Sequence, residues 1–156
     1  MAINRKEYRI IQSDVNPNKK IGIMLPFGNG KSMFRLTNTT EQQLYYNLIN
    51  LLLTNIGERY HQPAFGTNLR DMLFENYTEE VADKIKGIIN KAISFWLPGI
   101  DVINISVTDS INSNIRDIMT NSIYIKMDFI IDPNANHYRT ITLFANSNGS
   151  INVSGN

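Results

Sequence analysis

Cysteine is absent from all 156 residues, so disulfides, thiolate metal sites and thiol redox chemistry are excluded, and an intracellular place of synthesis fits better than secretion. Histidine occurs only at His61 and His137, with no second His or Cys at ligand spacing, so a zinc centre is not encoded locally. Charge of one sign is not in excess either. Fifteen Lys and Arg face fourteen Asp and Glu, and no field of the whole chain draws it to nucleic acid or anionic lipid. No apolar run approaches the roughly 20 residues that span a bilayer, and the opening Met-Ala-Ile-Asn-Arg-Lys-Glu-Tyr lacks a signal core. The expectation is a soluble protein that finds its partners by shape and local patches, with no nucleic acid or membrane among them. Asn and Ile are frequent, 21 and 23 residues, a bias that base composition alone can produce.

Motifs for chemistry are lacking in the same way. Gly28-Asn29-Gly30-Lys31-Ser32 ends like a phosphate-binding loop, but Leu25 stands where the upstream glycine is required, and a strand rather than a helix follows. No Gly-x-Ser-x-Gly elbow supports a Ser-His-Asp triad. A glycosidase needs two carboxyl groups on one cleft, one of them raised in pKa by an apolar pocket. Glu58, Asp71 and Glu75 are near one another in sequence, yet Asp71 and Glu75 lie one turn apart on a short helix, and Arg59 beside Glu58 favours ionisation. No aromatic sugar platform accompanies them. The expectation is therefore no catalytic residue, no metal and no cofactor.

What is present is a mixed pattern. Residues 1–20 read as an irregular arm, with a short strand possible at Tyr8 to Ile11, and Ile21 to Phe27 as an extended apolar segment ended by Pro26. After a turn at Gly28 to Gly30, Ser32 to Leu36 reads as a returning strand. Thr39 or Thr40 caps a helix running to Ile56, with Gln42 or Gln43 closing a capping box. Its apolar stripe is wide enough to imply burial on more than one side. Thr67 to Phe74 adds a short helix, and Asn76 or Thr78 caps a third that keeps its spacing from Val81 to Trp96 before Pro98-Gly99. Val102 to Thr108, Ser122 to Ile131 and His137 to Ala145 read as strands, the last two joined as a hairpin by Asp132 to Asn136. The fold class is α+β: a small antiparallel sheet with two main helices and one short helix on one face, and a C-terminal β-hairpin. The expected domain spans 21–145, and 146–156 reads as a flexible polar tail.

The stretch Leu51 to Glu75 organises the rest. It joins the first helix to the short one through a turn punctuated by Gly57, Pro63 and Gly66, with Gly57 where a left-handed helix cap is wanted. Between them Glu58-Arg59 sits on a turn fixed from both sides, which makes it a candidate recognition site.

These residues resemble a known family, the gene-25-type baseplate wedge proteins of contractile phage tails, also called sheath initiators. The matching residues are Leu52-Leu53-Thr54, Gly57-Glu58-Arg59, Pro63-Ala64-Phe65-Gly66, Leu69 and Leu73-Phe74-Glu75, with Gly22, Pro26 and Phe27 upstream. Some members have Glu-Pro-Arg where this chain has Glu58-Arg59. The resemblance covers roughly Ile21 to Ala145 and implies a structural component of the virion tail baseplate, made and assembled in the host cytoplasm. Its implied partners are other wedge proteins and the tail sheath, with tail tube or hub proteins as further neighbours, in six-fold arrangement. Gly57, Glu58, Arg59, Pro63, Phe65 and Gly66 become the expected wedge-binding residues. Ile141, Thr142, Leu143 and Phe144, on an edge strand left open for an arm of the first sheath ring, become the expected sheath-binding residues. The alternatives are a lysozyme-like cell-wall glycosidase of the tail and a small regulatory adaptor on the same fold.

Overall fold

Two threonines start the main helices. The computed structural model describes residues 19–24, 34–109, 123–131, 138–145 and 150–155. The expectations at Tyr8 to Ile11, Gly28 to Ser32, Asp132 to Asn136 and His137 lie outside these residues. Helix α1, Thr40–Leu53, begins after Thr39, whose extended backbone lets its hydroxyl accept from the Gln42 N–H. The Gln42 side chain reaches back to the Asn38 N–H, so the reciprocal pair closes one residue earlier than in the usual capping box. Helix α3, Glu79–Trp96, begins after Thr78, whose hydroxyl accepts from the Val81 N–H, with Glu79 and Glu80 at the positive end of the helix dipole. Between them lies the short helix α2, Leu69–Met72.

Helix α1 ends three residues before the expected Ile56. Thr54 leaves the helical region with ψ 127°, and its hydroxyl donates to the Asn50 carbonyl. Ile56 then falls outside the apolar stripe and is 54% exposed.

Strands β1, Gly22–Ile23, and β2, Leu36–Thr37, form a separate antiparallel pair. It is fastened to α1 where the Thr37 hydroxyl donates to Gln43 Oε1, while Gln43 Nε2 donates to Asn47. The main sheet comprises β3, Asp101–Asp109, β4, Ile123–Ile130, β5, Arg139–Ala145, and β6, Ile151–Gly155, antiparallel and in sequence order.

The expected polar tail is corrected over 151–155. Ile151 and Val153 alternate with Asn152 and Ser154, and this short strand pairs with β5 from Ala145↔Ile151 to Ile141↔Gly155. Alternation of that kind lets even a polar strand cover an edge, because only every second side chain must be apolar.

Register sorts the two faces of the sheet. The rungs Val107–Ile125–Leu143–Val153 and Ile105–Met127–Ile141–Gly155 face the helices. The rungs Thr108–Tyr124–Phe144–Asn152 and Ser106–Lys126–Thr142–Ser154 occupy the opposite, more polar face. Leu48, Leu51 and Leu52 of α1, Ile85, Ile89 and Ile93 of α3, and Ile123, Ile125, Met127 and Phe129 of β4 share one core. Gly155 ends its rung without a side chain because the Tyr45 hydroxyl stands where a Cβ would go. Tyr45 also stacks near Phe129 and lies under Arg139, whose guanidinium pairs with Glu41, so one residue of α1 touches β4, β5 and β6. Burial, and then the neighbouring Tyr46, push the Tyr45 hydroxyl's pKa up against the opposing pull of Arg139, so the phenol stays neutral.

Removing one cap tests how far α3 depends on its start. Thr78→Ala leaves the Val81 N–H without its acceptor and is expected to cost about 1 kcal/mol. Thermal unfolding should show a midpoint about 2–4 °C lower.

Candidate functional site

The turn after α1 is built from backbone hydrogen bonds. The Gly57 N–H donates to the Pro63 carbonyl (2.7 Å) and closes the loop, while the Glu58 N–H donates to the Asn55 carbonyl. Beneath it, the Thr67 N–H donates to the Thr54 carbonyl (2.7 Å). The buried Thr67 hydroxyl donates to the Leu52 carbonyl (2.9 Å), satisfying an acceptor that the helix end leaves open. Gly66 has φ +118°, and a Cβ there would collide with the Thr54 carbonyl. Gly57 has φ +90° with open space around it. Its left-handed backbone serves the loop and not the helix cap expected for it, since α1 has already ended at Leu53.

Glu58 and Arg59 part company on this frame. The Glu58 carboxylate turns back to accept from the Asn55 N–H (2.8 Å). The Arg59 guanidinium lies over the Phe65 ring, 3.7 Å from its centre. No ion pair joins the two among the described residues. Phe65 in turn meets Trp96 edge-on at 5.2 Å, and Trp96 meets Phe95 at 4.9 Å. The fold thus brings Arg59 and Phe65 of the expected set together and adds two aromatics from the end of α3, Phe95 and Trp96, that lie outside that set. A signal existed, because Phe95 falls off the buried stripe Ala82, Ile85, Ile89 and Ile93 yet is large and apolar.

The carboxylates considered for glycoside chemistry, Glu58, Asp71 and Glu75, are all exposed, so none sits in an apolar pocket. Among the described residues no cluster of three His, Asp or Glu is arranged to hold a metal, and no helix is long and apolar enough to cross a membrane.

The expected open edge at β5 is corrected as well. Ile141, Thr142, Leu143 and Phe144 belong to an interior strand whose backbone pairs with β4 on one side and β6 on the other. Ile141 and Leu143 are buried in the core, whereas Thr142 donates its hydroxyl to the Ser154 carbonyl and Phe144 stacks against Tyr124. The missed signal was the alternation Ile151, Asn152, Val153, Ser154 after the turn-forming dipeptide Asn148-Gly149.

A family model, Baseplate wedge protein gp25, matches residues 38–134. The chain belongs to this gp25 family. The match takes in the turn, both main helices, β3 and β4, and stops short of β5 and β6. Baseplate wedge protein gp25 of Enterobacteria phage T4 is 28% identical over 97 residues, covering 62% of this chain and 67% of the phage protein. A putative tail lysozyme from Geobacter sulfurreducens superposes with a TM-score of 0.52 at 16% identity, over 78% of this chain and 94% of that one. A chain of the anti-feeding prophage baseplate, seen by cryo-EM with six-fold symmetry imposed, superposes with a TM-score of 0.57 at 17% identity, over 76% and 89%. At those identities the two structures share the fold with this gp25-family chain, and the likeness to a putative tail lysozyme carries no catalytic residue across.

The two turn glycines should respond differently to a methyl group. Gly57→Ala is expected to cost about 1 kcal/mol from its left-handed backbone alone. Gly66→Ala adds a collision with a buried backbone carbonyl and should cost on the order of 3 kcal/mol or more. Denaturant unfolding of the two variants side by side checks the order.

Proposed function

We propose that this gp25-family chain is a non-catalytic part of a contractile-tail baseplate wedge, joining the wedge core to the first sheath ring and starting sheath assembly by strand addition. The family match across the turn and the helical core is the observation that carries the wedge role. Gly57, Glu58, Arg59, Pro63, Phe65 and Gly66 form the wedge-facing surface, with the glycines and Pro63 shaping the loop and Arg59 on Phe65 presented outward. The partners are the other wedge proteins and the sheath, with tube or hub proteins as neighbours. Six copies encircle the tail of the assembled virion.

For the sheath contact, the sheet offers two ends among the described residues. At β3 the register shifts between Val102 and Asn104, leaving Ile103 out of the ladder, and a bulge of that kind blunts an edge against pairing. The β5–β6 ladder runs without such a shift, and no strand lies beyond β6 among the described residues. An extended sheath arm therefore adds to the β6 side, and Ile141 to Phe144 act by holding β6 in place.

Three measurements test this reading. A variant lacking 151–156 should enter baseplates and melt only a few degrees lower, yet fail to start sheath polymerisation; normal sheath growth on such baseplates would rule out the β6 edge. Arg59→Glu should leave the isolated chain folded and keep it out of wedges, whereas collapse of its melting transition would make Arg59 a fold element. Purified protein should release no sugar from peptidoglycan, and a lytic activity lost in Glu58→Gln with assembly intact would overturn the structural role.

A further inference from the structure

Stacking on Phe65 orients the Arg59 guanidinium, and among the described residues its N–H donors meet no acceptor. The two ion pairs among the described residues, Lys86–Asp83 and Arg139–Glu41, lie elsewhere, and Glu58 is committed to the Asn55 N–H. A guanidinium held flat on a ring loses little further freedom when a carboxylate binds its fork, so it is a prepared anion receptor. From Thr54 to Gly66 the only charged side chains are Glu58 and Arg59, and with the Glu58 carboxylate accepting from the Asn55 N–H the Arg59 guanidinium is the loop's one charged donor.

The rings continue this surface away from the loop. Phe65, Trp96 and Phe95 follow one another at 5.2 and 4.9 Å, and Phe95 is 74% exposed at the far end. Tyr60, next to Arg59 in the chain, is 94% exposed. Phe95 lies outside the core, and an exposed ring beside a half-buried Trp that itself meets the ring under Arg59 has the composition of a binding hot spot.

We infer that the wedge-binding surface extends from the turn across the last turn of α3, that Arg59 receives a carboxylate from a neighbouring wedge protein, and that Phe95 anchors an apolar side chain beside that carboxylate. This rests on the wedge-binding reading of the turn. The occupant is a protein segment with an Asp or Glu next to an aliphatic or aromatic residue. A purely apolar partner would leave the Arg59 donors buried without acceptors.

The test places a photo-crosslinking amino acid at Glu58, at Phe95 or, as a control, at Lys126 on the polar face of the sheet, each in the full chain added to wedge subassemblies that lack it. Capture of a wedge protein from both Glu58 and Phe95, but not from Lys126, is the expected result. Phe95→Ser and Arg59→Lys should then each weaken binding about tenfold or more without lowering the melting temperature. Replacing the acid in the captured segment by its amide should weaken wild type but add little to Arg59→Lys. Capture from Glu58 alone, with Phe95→Ser binding as wild type, overturns the extension and leaves the turn reading standing. Capture from neither position overturns the wedge-binding reading itself. Undiminished binding by Arg59→Lys overturns the carboxylate.

Discussion

Much of this structure depends on the clasp between Thr54 and Thr67. The Thr67 N–H meets the Thr54 carbonyl, and its hydroxyl donates to Leu52 while lying 3.4 Å from the Leu69 N–H, so one buried threonine joins the end of α1 to the start of α2. Gly66 must pass against that carbonyl without a Cβ. With Thr54 and Thr67 joined by this 2.7 Å bond, residues 55–66 have to make a closed loop, which is why Glu58 to Ala64 stand at the surface. The Ile123 N–H donates to the Leu73 carbonyl, so the same clasp is connected through α2 to the first residue of β4.

The sheet carries that order to its far end. Strand β4 supplies four inward residues, Ile123, Ile125, Met127 and Phe129, and is paired on both sides. Tyr45 then links α1 to β6 by filling the space that Gly155 leaves. The loop and the β6 edge therefore belong to one packed body, as the proposed joining of wedge to sheath requires. A single core shared by α1, α3 and the sheet resists shear because its side chains interdigitate at close packing.

The helices and the three long strands were legible in the sequence because each carries its own period. Thr39 and Thr78 announce helix starts by chemistry local to four residues, and Ile123 to Phe129 alternate strictly. Boundaries were less legible. Ile56 continues the apolar period of α1, but the partner that draws the Thr54 carbonyl out of the helix lies thirteen residues on, and no local window contains it. Strand β6 alternates visibly yet offers only Ile151 and Val153 as apolar residues, too little to distinguish from a polar tail until β5 is seen beside it.

The sequence by itself determined the α+β class, the helix starts to within a residue or two, the turn at Gly57 and Gly66 and the family-bearing stretch from Leu51 to Glu75, because propensity, capping and turn chemistry act within a few residues. Only the tertiary structure decided what Glu58 and Arg59 each do. Adjacent in the chain, they read as a pair, but a carboxylate finds the nearest free N–H and a guanidinium the nearest ring face, at Asn55 and Phe65. It also decided that Phe95 and Trp96 stand beside the loop and that β5 is interior. Those outcomes depend on where α3 crosses the loop and which strand reaches β5 first, and distance in space is not written in distance along the chain.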